Sequence, residues 1–311
     1  MKKILALLLA LTIAVSLFAG CGKTETPQVP ETPADTTQTP ETPAEPEKPE
    51  EPETPAEPEK PEEPEVQLTD EEIIQARRDA AMEYVRKVCA VRWRSDTDVT
   101  YVHAVGSSNP FKIIAGRLYE GIPYSYSGAP LGAWLDHPGT MDEKGIYNMT
   151  GLNVTLLNGT STSSRIGIDC SSTVNRAWQS FGSSIRSAST DSMTSKNGYI
   201  HVGDYEAPDL SYIDTRVDCT NNGQQRMFEA YALLQMSDCV VMNNGSSGHA
   251  MFVVGVNVVR AADGTIDGNK STCTVIDQNG IMRTNKKYYD ETVGEDVYVC
   301  MTVDKEYNFT N

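Results

Sequence analysis

The chain has 311 residues, with 43 acids against 26 lysines and arginines, and its net charge of −17 without a basic cluster argues against a nucleic-acid partner. Neither a CxxC pair nor a Cys/His spacing suited to structural zinc occurs, so no metal or other cofactor is expected. The first sixty-five or so residues do not read as globular, which confines the folded domain to 67–311.

Residues 1–20 have the form of an export signal: Lys2 and Lys3, an apolar run from Ile4 to Phe18, then small residues before Cys21. The run is short for a bilayer span and has no stop-transfer flank. Leu17-Phe18-Ala19-Gly20-Cys21 resembles a bacterial lipoprotein lipobox, with Phe18 where Leu is usual. That resemblance implies cleavage before Cys21, lipidation of its sulfur, and a membrane lipoprotein that faces the cell wall outside the cytoplasm. Residues 21–66 follow as a spacer of Pro, Glu, Thr, Ala and Lys, in which Glu41 to Pro52 recurs unchanged as Glu53 to Pro64. Its prolines favour an extended polyproline conformation of ~3 Å per residue, a reach on the order of 100 Å. From Gly22 to Glu65, fourteen acids face three lysines; with Lys2 and Lys3 set aside, residues 66–311 carry −8.

In the folded part, Thr69-Asp70-Glu71-Glu72 reads as a capping box opening a helix through Cys89. Phe111 to Tyr119 reads as a second helix. Polar, glycine-rich stretches near 129–165 and 183–222 read as surface insertions, the first anchored by Leu131, Trp134 and Leu135. Gln224 to Leu234 reads as a helix, and Val240 to Met242, Ala250 to Val256, Thr272 to Ile276 and Val297 to Met301 as strands. Helices followed by antiparallel strands predict an α+β fold.

The chain is organised around Ile168-Asp169-Cys170-Ser171-Ser172-Thr173, where an extended approach turns into a helix whose apolar face is Val174, Ala177, Trp178 and Phe181. At a helix start, unpaired N–H groups and the macrodipole favour a nucleophilic thiolate. Two other Asp-Cys pairs compete with Cys170. Cys219 is separated from the next helix by Asn221-Asn222-Gly223, and Cys239 enters a strand, so both lack the dipole. Because an exported chain is free to form disulfides, Cys89, Cys170, Cys219, Cys239, Cys273 and Cys300 admit fifteen full pairings.

His249 starts one strand and Asp277 ends the next. A reversal at Asp263-Gly264 puts the two opposite each other, so that the carboxylate holds the imidazole tautomer while the other ring nitrogen faces a thiolate. A competing turn at Asp267-Gly268-Asn269 would slip the register and give Gln278 or Asn279 that role. His103, His137 and His201 lack such a partner strand and read as surface residues.

Four blocks in order, Gly121-Ile122-Pro123-Tyr124-Ser125-Tyr126-Ser127-Gly128, Asp169-Cys170-Ser171, Gln235-Met236-Ser237-Asp238-Cys239-Val240-Val241 and Gly248-His249-Ala250, resemble those of the NlpC-type cell-wall cysteine peptidases. The segments Asp263 to Ile266 and Val275 to Asn279 are also similar to the CHAP amidase/peptidase group. The resemblance covers about Gly121 to Gly280. It implies a papain-like fold and hydrolysis of peptidoglycan stem peptides through a thioester, with Cys170 as nucleophile, His249 as general base and Asp277 as the group that orients it. It further implies that Tyr124 lies beside the oxyanion hole, that Asp169 and Ser171 flank the nucleophile, and that Asn279 is a nearby polar group. Ser172 replaces the usual glycine, and Tyr126, Ser127 and Gly128 replace the usual Trp-Gly-Gly. Two alternatives stand beside this reading: a CHAP-type N-acetylmuramoyl-L-alanine amidase, and a catalytically silent module that binds wall or protein. The sequence leaves the oligomeric state undetermined.

Overall fold

Thr69 caps α1 (Asp70–Ala90) as its spacing predicts: its hydroxyl accepts the Glu72 N–H, and the Glu72 carboxylate accepts the Thr69 N–H at 2.9 Å. Ala81, Val85, Val88 and Cys89 make its buried stripe. The computed structural model describes residues 68–102, 110–126, 128–158, 166–182, 184–207 and 215–310. The signal, Cys21 and the spacer to residue 66, together with His103 and Ser127, lie outside the described residues. Among the described residues no helix is long and apolar enough to cross a membrane.

Beyond α1 come β1 (Arg92–Ser95), β2 (Val99–Tyr101), β3 (Phe111–Ile113), β4 (Leu118–Glu120), α2 (Leu131–Leu135), β5 (Gly139–Met141), β6 (Tyr147–Met149) and α3 (Val154–Asn158). Then follow α4 (Cys170–Gln179), α5 (Thr215–Asn222), α6 (Gln224–Tyr231), β7 (Cys239–Asn243), β8 (Gly248–Asn257) and β9 (Thr272–Asp277). The chain closes with β10 (Lys287–Asp290), β11 (Glu295–Val299) and β12 (Thr302–Asn308). This is an α+β fold. Among the described residues its strands form an antiparallel sheet in the order β12-β9-β8-β7, a mixed six-stranded sheet in the order β10-β11-β4-β1-β6-β5, and the β2-β3 pair.

The sheets correct three expectations. Phe111 to Tyr119 is two strands, because Gly116 at φ +75° turns the chain between them and Phe111 and Ile113 both point into the core with Lys112 exposed. Residues 129–165, read as an insertion, supply β5 and β6, and β6 pairs in parallel with β1 inside the six-stranded sheet. Trp134 is fully buried with its ring edge on Trp93, whereas Leu135 is exposed. Within 183–222 the described residues include two 3-10 turns, Thr190–Ser192 and Ser195–Asn197, and helix α5. Finally, the strand at 297–301 belongs to the mixed sheet beside β4, not to the antiparallel one.

Helix α4 lies between α1 and strand β8, which gives the protein its main core. Val174 and Ala177 are fully buried there, and a valine so buried contributes on the order of 1.5–3 kcal/mol. The start of this helix and the start of β8 are the two ends from which the site is built.

Candidate active site

The approach to α4 is locked as a short bridge: Ile168 pairs with Tyr124, donating to the Pro123 carbonyl and accepting from Ser125 N–H, each at 3.1 Å. Asp169 then stays extended as the N-cap, and its carboxylate accepts the Ser172 N–H at 2.7 Å and the Ser171 hydroxyl at 3.0 Å. The two residues expected to flank the nucleophile thus hold the helix end together. Cys170 is the first helical residue, a free thiol only 7% exposed. Its backbone N–H is one of those with no partner inside the helix. The Ser172 departure has a matching partner, because a Cβ on Gly128 would come 2.8 Å from the Ser172 hydroxyl oxygen.

His249 is the second residue of β8, opposite Met242 of β7. The glycine before it makes room for a neighbour: a Cβ on Gly248 would lie 1.8 Å from the Thr190 hydroxyl oxygen. The β8-β9 register differs from the one predicted. Phe252 faces Ile276 and Val253 faces Val275, a phase that places Asn279, not Asp277, across from His249. The Asp263-Gly264 reversal is present, with Arg260 bridging Ile266, but the extra residues at 267–271 move the phase by three before Asn257 meets Thr272, and an irregularity between Val253 and Gly255 takes one back. Asp277 is then the diagonal neighbour on the same face of the sheet, within reach of a ring. It holds His249 Nε2 at 2.7 Å, with its own side chain 2% exposed.

Asn279 serves the same carboxylate, donating from Nδ2 to the other Asp277 oxygen at 2.7 Å. Gln278, a candidate orienting group, does other work: it is fully buried and donates to the Ile122 carbonyl at 2.7 Å, tying the end of β9 to the segment that carries Tyr124.

With Nε2 on Asp277, Nδ1 is the ring nitrogen left for Cys170, whose sulfur adds to the upward displacement of the ring. Burial works against the charged ring, but the hydrogen bond to Asp277, with the Cys170 sulfur and the charges of both residues, prevails and pushes His249 up to about 10. Burial first, then the charges of Cys170 and Asp169, drive the Tyr124 hydroxyl far above its ordinary value, so it stays protonated and able to donate. Tyr124, His249 and Asn279 line a cleft of about 200 Å³ with Phe111, Gly280 and Arg283. Phe111 and Arg283 were missed in the sequence. The available signal for Arg283 was a turn-forming glycine followed closely by a cation, just past the strand that carries Asp277.

The other cysteines are free thiols placed elsewhere. Burial pushes Cys89 and Cys239 up to about 12 and Cys273 to about 11, and raises Cys300 well above the ordinary thiol range. Cys219, expected off a helix end, lies inside α5 and is exposed. His201 is exposed beside Tyr205, whereas His137 is half-buried with Nε2 enclosed, so only one of these two is the surface residue expected. Among the described residues no three His, Cys, Asp or Glu side chains gather in a way that could hold a metal ion.

A sulfur, an imidazole and a carboxylate in series can carry acyl transfer: attack by sulfur, proton relay by the ring, and orientation of the ring by the acid. No protein-family model, curated protein or solved structure matches the chain.

Proposed function

We propose that this protein is a papain-like cysteine hydrolase that cuts amide bonds in peptidoglycan stem peptides, held at the cell surface by a lipid on Cys21. The observation that carries the reading is His249 held by the buried Asp277 at 2.7 Å, with Cys170 at the start of α4 close enough to raise the ring's pKa. In this mechanism Cys170 attacks the scissile carbonyl as a thiolate. The oxyanion is met by the Cys170 backbone N–H and the Tyr124 hydroxyl. Collapse to the thioester breaks the C–N bond, and His249 gives its proton to the leaving amine. A water molecule, deprotonated by His249, then attacks the thioester and releases the acid and the Cys170 thiol. The NlpC-type and CHAP-type resemblance supplies the wall peptide as substrate, and the acidic, proline-rich sequence of residues 21–66 suits a spacer toward it. The free Cys170 thiol removes one motive for reading the domain as silent, namely its locking in a disulfide.

Digestion of purified peptidoglycan tests the proposal. New amino groups on stem peptides, absent with Cys170→Ala, are the expected result. New lactyl ends would replace this reading by the amidase, and no products from a folded, membrane-free domain with reduced Cys170 would refute hydrolysis.

A further inference from the structure

We propose that Arg283 is the specificity determinant of the cleft, taking a carboxylate of the substrate beside the scissile bond. This rests on the hydrolase reading for the identity of the bond, and on the cleft itself for the carboxylate. Arg283 is half-buried in the 3-10 turn Ile281–Thr284, directly after the segment that carries Asp277 and Asn279. It lines the cleft together with His249, Tyr124 and Asn279. Of the residues lining that cleft, it is the one with a permanent charge.

The side chain is held there by stacking. The guanidinium lies 4.3 Å from the centroid of the Phe111 ring, and Phe111 stacks in turn on Tyr124 at 5.6 Å and on Tyr101 at 5.0 Å. Gly280 permits this approach, since a Cβ there would come 2.9 Å from the Phe111 ring, and its φ of +71° suits glycine. Met282, buried, and a hydrogen bond from Arg283 N–H to the Gly280 carbonyl fix the turn. The charge is felt where the chemistry lies, for it opposes the upward displacement of both Tyr124 and Tyr126, hydroxyls that also sense Cys170. A planar cation pre-set by aromatic stacking at one end of a reaction cleft is suited to bidentate recognition of a carboxylate. In a domain of net acidic charge, such a group is the feature that would draw an anionic peptide to the sulfur.

The test is a pair of synthetic stem tetrapeptides, one with every carboxyl group free and one with those groups amidated. Wild type should turn over the free acid with kcat/KM on the order of 10- to 100-fold higher, the range for one charge-assisted pair. Arg283→Gln should lower the acid rate at least tenfold more than the amide rate, so that the two converge, and keep the rate of Cys170 alkylation. Arg283→Lys should restore only part of the preference. Equal rates on both peptides with wild type, or an equal loss on both with Arg283→Gln, would overturn the inference. If neither peptide is cut, binding of both to Cys170→Ala, read by NMR titration, separates the two ideas. An Arg283-dependent preference for the acid then sinks hydrolysis of stem peptides and keeps the carboxylate site, and equal binding sinks the site as well.

Discussion

Asp277 and Cys170 both act on His249, and the Asp277 carboxylate is itself held by Asn279. Each residue therefore has a separable role. Asp277→Asn keeps an oxygen for Nε2–H, once Asn279 turns its amide, but removes the charge that lifts the ring. On the proposed hydrolase mechanism kcat/KM should fall on the alkaline side near 10 in wild type as His249 loses its proton, and in Asp277→Asn that fall should move to lower pH. An unmoved alkaline limb would show that Asp277 does not tune the ring. Asn279→Ala removes one of the hydrogen bonds to Asp277 and should lower kcat about tenfold with KM little changed, the pattern of a positioning residue. Steady-state kinetics on one wall peptide checks both variants.

Elements bring these residues together by fits at single glycines and caps. Gly248→Ala would push Thr190 away from the start of β8, costing about 1–3 kcal/mol and lowering Tm by roughly 2 to 10 °C, with loss of activity because His249 is the next residue. Thr69→Ala, by contrast, opens the capping box of α1 far along the helix from the site, and should cost about 1 kcal/mol without changing Cys170 alkylation. Thermal melts alongside alkylation rates separate the two cases. Local signals of this kind were legible in advance. The capping box, the apolar face behind Cys170 and the alternation of β8 and β9 are contained in short windows of sequence. What was illegible is non-local. The parallel pairing of β6 with β1 joins residues 93–95 to 147–149, and nothing within 129–165 announces it. Phe111 to Tyr119 was misread because its apolar residues fit a helical period as well as a paired edge, and only Gly116 marks the break. Asp277 was found by a register that the strands do not keep. A two-residue change of phase retains the face, so the diagonal carboxylate still reaches the ring.

For the whole molecule, charge links stability to pH on both sides. Arg92 on β1 holds Asp290 at 2.6 Å and Arg94 holds Glu295 at 2.8 Å, tying β1 to the β10-β11 ribbon across β4. Hydrogen bonds from Thr292, then the Arg92 contacts, bring Asp290 down to about 2, and Arg94 lowers Glu295. These carboxylates are stabilising above their unfolded range near 4, and that contribution is lost as pH falls toward 2. His249 behaves in the opposite sense. Its protonation stabilises the fold fully below about 6.5, and the effect declines until pH passes about 10. Tm should therefore be highest between these limits. Arg92→Gln should flatten the acid limb and His249→Gln the alkaline limb, as scanning calorimetry across pH 2.5 to 10.5 would reveal.

The central claim is that His249 makes Cys170 a nucleophile, and alkylation by iodoacetamide, mapped by mass spectrometry, tests it most directly. At neutral pH the reaction should be selective for Cys170 among the buried thiols, and His249→Ala should slow it at least tenfold, toward the rate of an ordinary cysteine. Alkylation of Cys170 at the same rate with and without His249, or none at all in the reduced folded domain, would contradict the account.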